Sequence, residues 1–84
     1  MPDRSSSRAA LRALSILEFL AHTDGAQSLA QIAAALGLNK ATAYRMLQAL
    51  VEAGYVYRDV HPGTYRPSFK VCELSSHILE RLDL

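Results

Sequence analysis

Lys40, Thr42 and Arg45 lie in one short run, and Arg58, His61 and Arg66 in a second, and together they form the chain's best candidate for gripping a polyanion. Ammonium and guanidinium groups neutralise phosphates, and hydroxyls donate to them. The planar fork of arginine also matches the two acceptors on the major-groove edge of guanine. Arg45 is therefore the candidate for a base edge, and Lys40 and Thr42 are candidates for phosphates, with Asn39, Ala41 and Tyr44 on the same surface. Tyr44 has two readings of equal weight, stacking on sugar and phosphate or packing against the hairpin that follows. Arg58, His61 and Arg66 would meet flanking backbone.

Competing chemistries find little support. The serines and the three histidines occur without a nucleophile-elbow glycine pattern, a phosphate-binding glycine loop or a pocket-forming carboxylate pair. His22 and His77 have no partners at metal-ligand spacing and read as surface residues. Cys72 is the single cysteine, so no internal disulfide is possible, and it is expected to be a small buried hydrophobe on the last helix. No enzyme activity, cofactor or metal is expected.

The elements that must position the basic residues follow from periodicity and caps. From about Arg8 to His22, a helix places Ala10, Ala13, Leu14, Leu17 and Ala21 on one stripe, widened by Ile16, Phe19 and Leu20. That surface is broader than one neighbour covers, so Ile16 and Phe19 are expected to reach a second subunit. Thr23-Asp24-Gly25 ends the helix. Ser28 and Gln31 form a capping box, and Leu29, Ile32, Ala33 and Leu36 follow at helical spacing before Gly37, which predicts a helix over 29–36. Asn39 offers a second cap, Ala43, Leu47, Leu50 and Val51 an inward stripe, and Gly54 a stop, which predicts a third helix over 40–53. Its other face carries Lys40, Ala41, Thr42, Tyr44, Arg45 and Gln48, with no acid before Glu52.

Past Gly54, the β-branched and aromatic run from Tyr55 to Val60, the turn His61-Pro62-Gly63 and the segment Thr64-Tyr65-Arg66 predict a β-hairpin. Ser68 then caps a last helix from Phe69 to the C-terminus, whose stripe of Val71, Leu74, Ile78 and Leu82 suits a dimer contact. Two short helices across a glycine-containing turn make a helix-turn-helix, and the hairpin supplies a wing.

Charge is segregated along the chain, so its net value of +1 conceals two basic blocks. Residues 39–70 carry Lys40, Arg45, Arg58, Arg66 and Lys70 against Glu52 and Asp59, and the N-terminus carries Arg4, Arg8 and Arg12 against Asp3. The N-terminal arginines are either a solubilising tail or an arm that reaches a nucleic acid. With 84 residues there is room for one small domain with a thin core. No apolar run is long enough to cross a membrane and no signal-peptide core follows the N-terminus, so a cytoplasmic location without membrane contact is expected.

The segments Arg12-Ala13-Leu14-Ser15-Ile16-Leu17, Ser28-Leu29-Ala30-Gln31-Ile32-Ala33, Gly37-Leu38-Asn39-Lys40-Ala41-Thr42-Ala43-Tyr44-Arg45-Met46-Leu47, Gly54-Tyr55-Val56 and Gly63-Thr64-Tyr65-Arg66 occur in this order. Over roughly residues 8–75 the chain resembles the DNA-binding domain of the IclR family of bacterial transcriptional regulators. The resemblance implies a winged helix-turn-helix that binds palindromic operators as a dimer, and a linker helix leading to a C-terminal domain that binds a small effector. The pattern departs from the family at Arg66-Pro67-Ser68, Cys72 and Ser75, at the wing's exit and the linker's start. Family members also run well past the linker, so the effector domain is expected to be absent here and any small-molecule effector to act only through it.

The expected architecture is mainly α with a small β-hairpin, a winged helix-turn-helix followed by a linker helix. Residues 1–7 are expected to form a flexible tail, 8–67 the DNA-binding unit and 68–84 the linker and dimerisation helix. The expected function is sequence-specific binding of double-stranded DNA as a homodimer on a palindromic operator. The alternative is a winged-helix protein-interaction or dimerisation module that reads no DNA sequence, as the near-neutral charge allows.

Overall fold

A computed structural model describes residues 4–82; residues 1–3 and 83–84, and the side chains of residues 4–6, lie outside the description. The order is α1 (Arg4–His22), β1 (Gln27–Ser28), α2 (Leu29–Leu36), α3 (Lys40–Ala53), β2 (Val56–Asp59), β3 (Thr64–Pro67) and α4 (Phe69–Arg81). The architecture is mainly helical with a small antiparallel sheet. Helix α1 starts at Arg4, so residues 4–7 of the expected tail are helical and only 1–3 fall outside the described residues. The three consecutive serines leave the helix intact there because serine costs only a few tenths of a kcal/mol in a helix.

The local signals set α2 and α3. Ser28 Oγ accepts from the Gln31 amide at 3.1 Å, and the Ser28 amide donates to Gln31 Oε1 at 2.8 Å, which satisfies two orphan donors reciprocally. Gly37 closes α2 in the left-handed conformation at φ 66°, and its amide and that of Leu38 return to the last turn. One residue later, Asn39 Oδ1 accepts from the Thr42 amide at 2.8 Å and starts α3. Gly54 ends α3 at φ 89°.

The sheet has three strands in the order β1-β3-β2, where the sequence predicts two. Gln27 and Ser28 pair with Tyr65 and Thr64, so the residues that lead into the α2 cap also extend the hairpin. A two-residue strand leaves no period to read in sequence, and its partner lies far along the chain.

The core is Ile16 and Leu20 of α1, Ile32 of α2, Leu47 and Leu50 of α3, and Val56 and Tyr65 of the hairpin. Tyr65 was not among the expected core residues; it alternates inward on β3 beside Val56 and fills the space under α1. The buried face of α1 is rotated by roughly a quarter turn from the expected stripe, at 100° per residue. Ile16 and Leu20 lie at its centre, whereas Leu14 is 55% exposed and Ala10 and Ala21 face outward. Most of the α1 surface is apolar, so periodicity alone leaves its orientation open, and contact with α2, α3 and β3 selects it. The expected subunit contact at Ile16 is thereby corrected, because this side chain is 0% exposed within its own chain and has no surface left for a partner. Phe19 is half-buried against the same core.

Helix α4 contains no buried residue. Its start is fixed to the end of α3: the Ser68 hydroxyl donates to the Gly54 carbonyl, the Ser68 amide to the Tyr55 carbonyl at 2.9 Å, and Lys70 Nζ to the Ala53 carbonyl at 2.7 Å. Lys70 also lies 4.7 Å from the Tyr55 ring centroid, which withdraws its charge from the basic surface. Beyond this anchor, Leu74, Ile78, Leu79 and Leu82 are exposed. Cys72 is exposed too, contrary to the expected burial, because no other element covers that part of α4.

Candidate nucleic-acid interface

The inward residues of α3, Ala43 and Leu47, are fully buried, and they hold the helix so that its opposite face is offered to solvent. At 100° per residue Arg45 lies roughly 160° round the helix from both of them. Lys40, Ala41 and Arg45 are exposed, and Thr42 is half-buried on the side toward α1. Tyr44 is 40% exposed on the opposite flank of α3 from Thr42. Asn39 is exposed, but its Oδ1 is occupied by the cap, so its part in the surface is to fix where α3 begins. Glu52 shares the Arg45 face two turns on, which confines the positive surface to the first turns of α3.

On the hairpin, Arg58 pairs with Tyr65 and Arg66 with Tyr57. Alternation across the strands therefore turns the two arginines to opposite faces of the ribbon. Arg58 shares the face of Val56 and Tyr65 that packs on the helices, and its guanidinium lies 5.9 Å from the Tyr65 ring centroid. Arg66 lies over the Tyr57 ring at 4.8 Å with Asp59 at 4.0 Å, partly neutralised. His61 is exposed in the turn between β2 and β3.

Two further arginines, which the sequence allows as either a solubilising tail or an arm, lie beside the α3 face. Arg8 and Arg12 of α1 line a concavity of about 380 Å³ together with Ala9, Thr42, Arg45 and Met46. A signal for them existed in sequence, as two arginines four residues apart on a helix with no acid within that stretch.

A sequence model of the IclR helix-turn-helix domain matches residues 9–60. The chain belongs to the IclR family. It is 32% identical over 78 residues to an HTH-type transcriptional regulator of Haemophilus influenzae, covering 93% of this chain and 29% of that protein. It is 31% identical over 80 residues to the DNA-binding transcriptional repressor YiaJ of Escherichia coli, covering 95% of this chain and 28% of that protein. The crystal structure of an IclR family transcriptional regulator from Brucella abortus superposes with a TM-score of 0.84 at 29% identity, over 99% of this chain and 32% of that one. The chain thus spans under a third of the relatives it matches. These relatives are transcriptional regulators, and the matching segment is the DNA-binding helix-turn-helix of an IclR regulator. No helix among the described residues is long and apolar enough to cross a membrane.

Proposed function

We propose that this IclR-type domain reads a palindromic operator in double-stranded DNA as a homodimer, in the cytoplasm, with α3 in the major groove. The observation that carries the reading is the exposed first two turns of α3, held by the Asn39 cap and presenting Lys40, Thr42 and Arg45 with no acid before Glu52. The major groove is about 12 Å wide and an α-helix with side chains about 10–12 Å across, so only a helix so exposed can enter. Arg45 takes a guanine edge, Lys40 and Thr42 take phosphates, and Ala41 permits close approach. Arg58 and His61 meet flanking backbone from the wing, with Arg66 in a lesser role because Asp59 and Tyr57 hold it.

Residues 8–67 act as the DNA-binding unit and 68–84 as the linker and dimerisation helix, through Val71, Leu74, Ile78 and Leu82. The apolar α4 stripe, exposed at Leu74, Ile78 and Leu82, supports this role. Any small-molecule control belongs to a C-terminal domain of the family kind.

Hydroxyl-radical footprinting on a duplex taken from immediately upstream of the chain's own coding sequence tests the reading. Two protected patches one helical turn apart, about 34–36 Å, are expected for a dimer on inverted half-sites. One isolated patch overturns the dimer, and protection no better than on a scrambled duplex gives the case to a protein-interaction module.

A further inference from the structure

Helix α1 carries cations where helix electrostatics disfavours them. Arg4 stands in its first turn, Arg8 in its second and Arg12 one turn further, and no acid lies in the first turn to offset the positive end of the macrodipole. Arg8 and Arg12 are four residues apart and thus stacked on one face, where like charges repel. That face turns toward the helix-turn-helix. Both arginines line the concavity shared with Thr42, Arg45 and Met46, and both also line a neighbouring one of about 340 Å³ against Leu36, Gly37 and Leu38. No carboxylate lines either. The ion pair found among the described residues is Arg66 with Asp59, so neither α1 arginine nor Arg45 has an acidic partner there. Arg12 is half-buried, which fixes its stem against the domain, while Arg8 is exposed.

Three guanidinium groups around one cleft without an acid among the described residues call for an anion. We propose that Arg8 and Arg12 bind the phosphate backbone of the DNA strand that flanks α3 on its Thr42 side, so that α1 forms one wall of the interface. A helix that fills the major groove has a sugar-phosphate strand along each flank, and the protein surface beside the helix meets it. Here that surface is the Arg8–Arg12 face of α1. The arginines are held on a folded helix and need no ordering on binding, unlike a disordered arm. They add affinity for any sequence and fix the register of α3, while Arg45 supplies preference.

This inference rests on the DNA-binding reading, and a salt series on a random-sequence duplex separates the two. Each phosphate contact contributes about 0.9 to the slope of log K against log salt on duplex DNA. Arg8→Gln, at an exposed position that carries no folding risk, lowers the slope by about 0.9 per bound protomer, and Arg8→Gln with Arg12→Gln lowers it by close to twice that per protomer. Arg12→Lys retains the slope, since the charge remains. Arg81→Gln, which removes the same charge from the far end of α4, leaves it unchanged. The ratio of affinities for the upstream and scrambled duplexes stays constant in Arg8→Gln. An Arg8→Gln slope equal to that of the unaltered chain, or an equal fall in Arg81→Gln, overturns the α1 assignment and leaves the DNA reading standing. Failure of the unaltered chain to bind any duplex at low salt removes both.

Discussion

Arg58 and Arg66 have the same side chain and flank the same turn, yet the strand register gives them different surroundings. Arg58 makes no ion pair among the described residues, whereas Arg66 sits 4.0 Å from Asp59 and over the Tyr57 ring. An arginine already engaged gains less from a phosphate. Arg58→Ala is therefore expected to lower the salt slope of DNA binding by about 0.9 per bound protomer without changing sequence preference, and Arg66→Ala by clearly less. Equal losses in an anisotropy salt series would show that DNA displaces the Asp59 contact. The distinction could not be read from composition, because it depends on which residue of β3 faces which of β2.

At the scale of elements, what was legible in the sequence was what the chain decides locally. Ser28 with Gln31, Asn39, Ser68 and the two stop glycines each act over three or four residues, and the boundaries of α2 and α3 follow them. The exposed, basic face of α3 was legible for the same reason: its stripe of Ala43, Leu47 and Leu50 leaves one orientation. Features that depend on distant partners were not legible. Strand β1 exists because β3 lies beside it, the buried face of α1 is chosen by α2, α3 and the sheet, and Arg8 and Arg12 reach the cleft beside Thr42 and Arg45 only when α1 packs across α3. The rotation of α1 has a direct consequence for stability. Ile16→Ala is expected to cost about 2–5 kcal/mol, since it empties a fully enclosed site, while Leu14→Ala costs about 0.5 kcal/mol or less. Urea midpoints of the two variants check this, and a larger loss at Leu14 would restore the stripe expected from periodicity.

For the whole molecule, the contrast between a closed core in the helix-turn-helix and an α4 with no buried side chain defines the assembly problem. A helix with Leu74, Ile78, Leu79 and Leu82 all about half exposed gains most from pairing with a second copy. Ile78→Glu places a charge in that stripe and is expected to yield a monomer in sedimentation velocity, with weakened binding to a duplex that carries both half-sites. An Ile78→Glu chain that sediments as a dimer would move the subunit contact elsewhere. On the proposed reading dimerisation and wing contacts tune affinity, while α3 reads sequence through Arg45. Fluorescence anisotropy of the unaltered chain and Arg45→Ala, each on the upstream duplex and its scrambled control, tests that claim most directly. Tighter binding of the unaltered chain to the upstream duplex is expected, with a loss of about 1–3 kcal/mol in Arg45→Ala that falls mainly on that duplex and reduces the preference. An Arg45→Ala variant that keeps the full preference would contradict it.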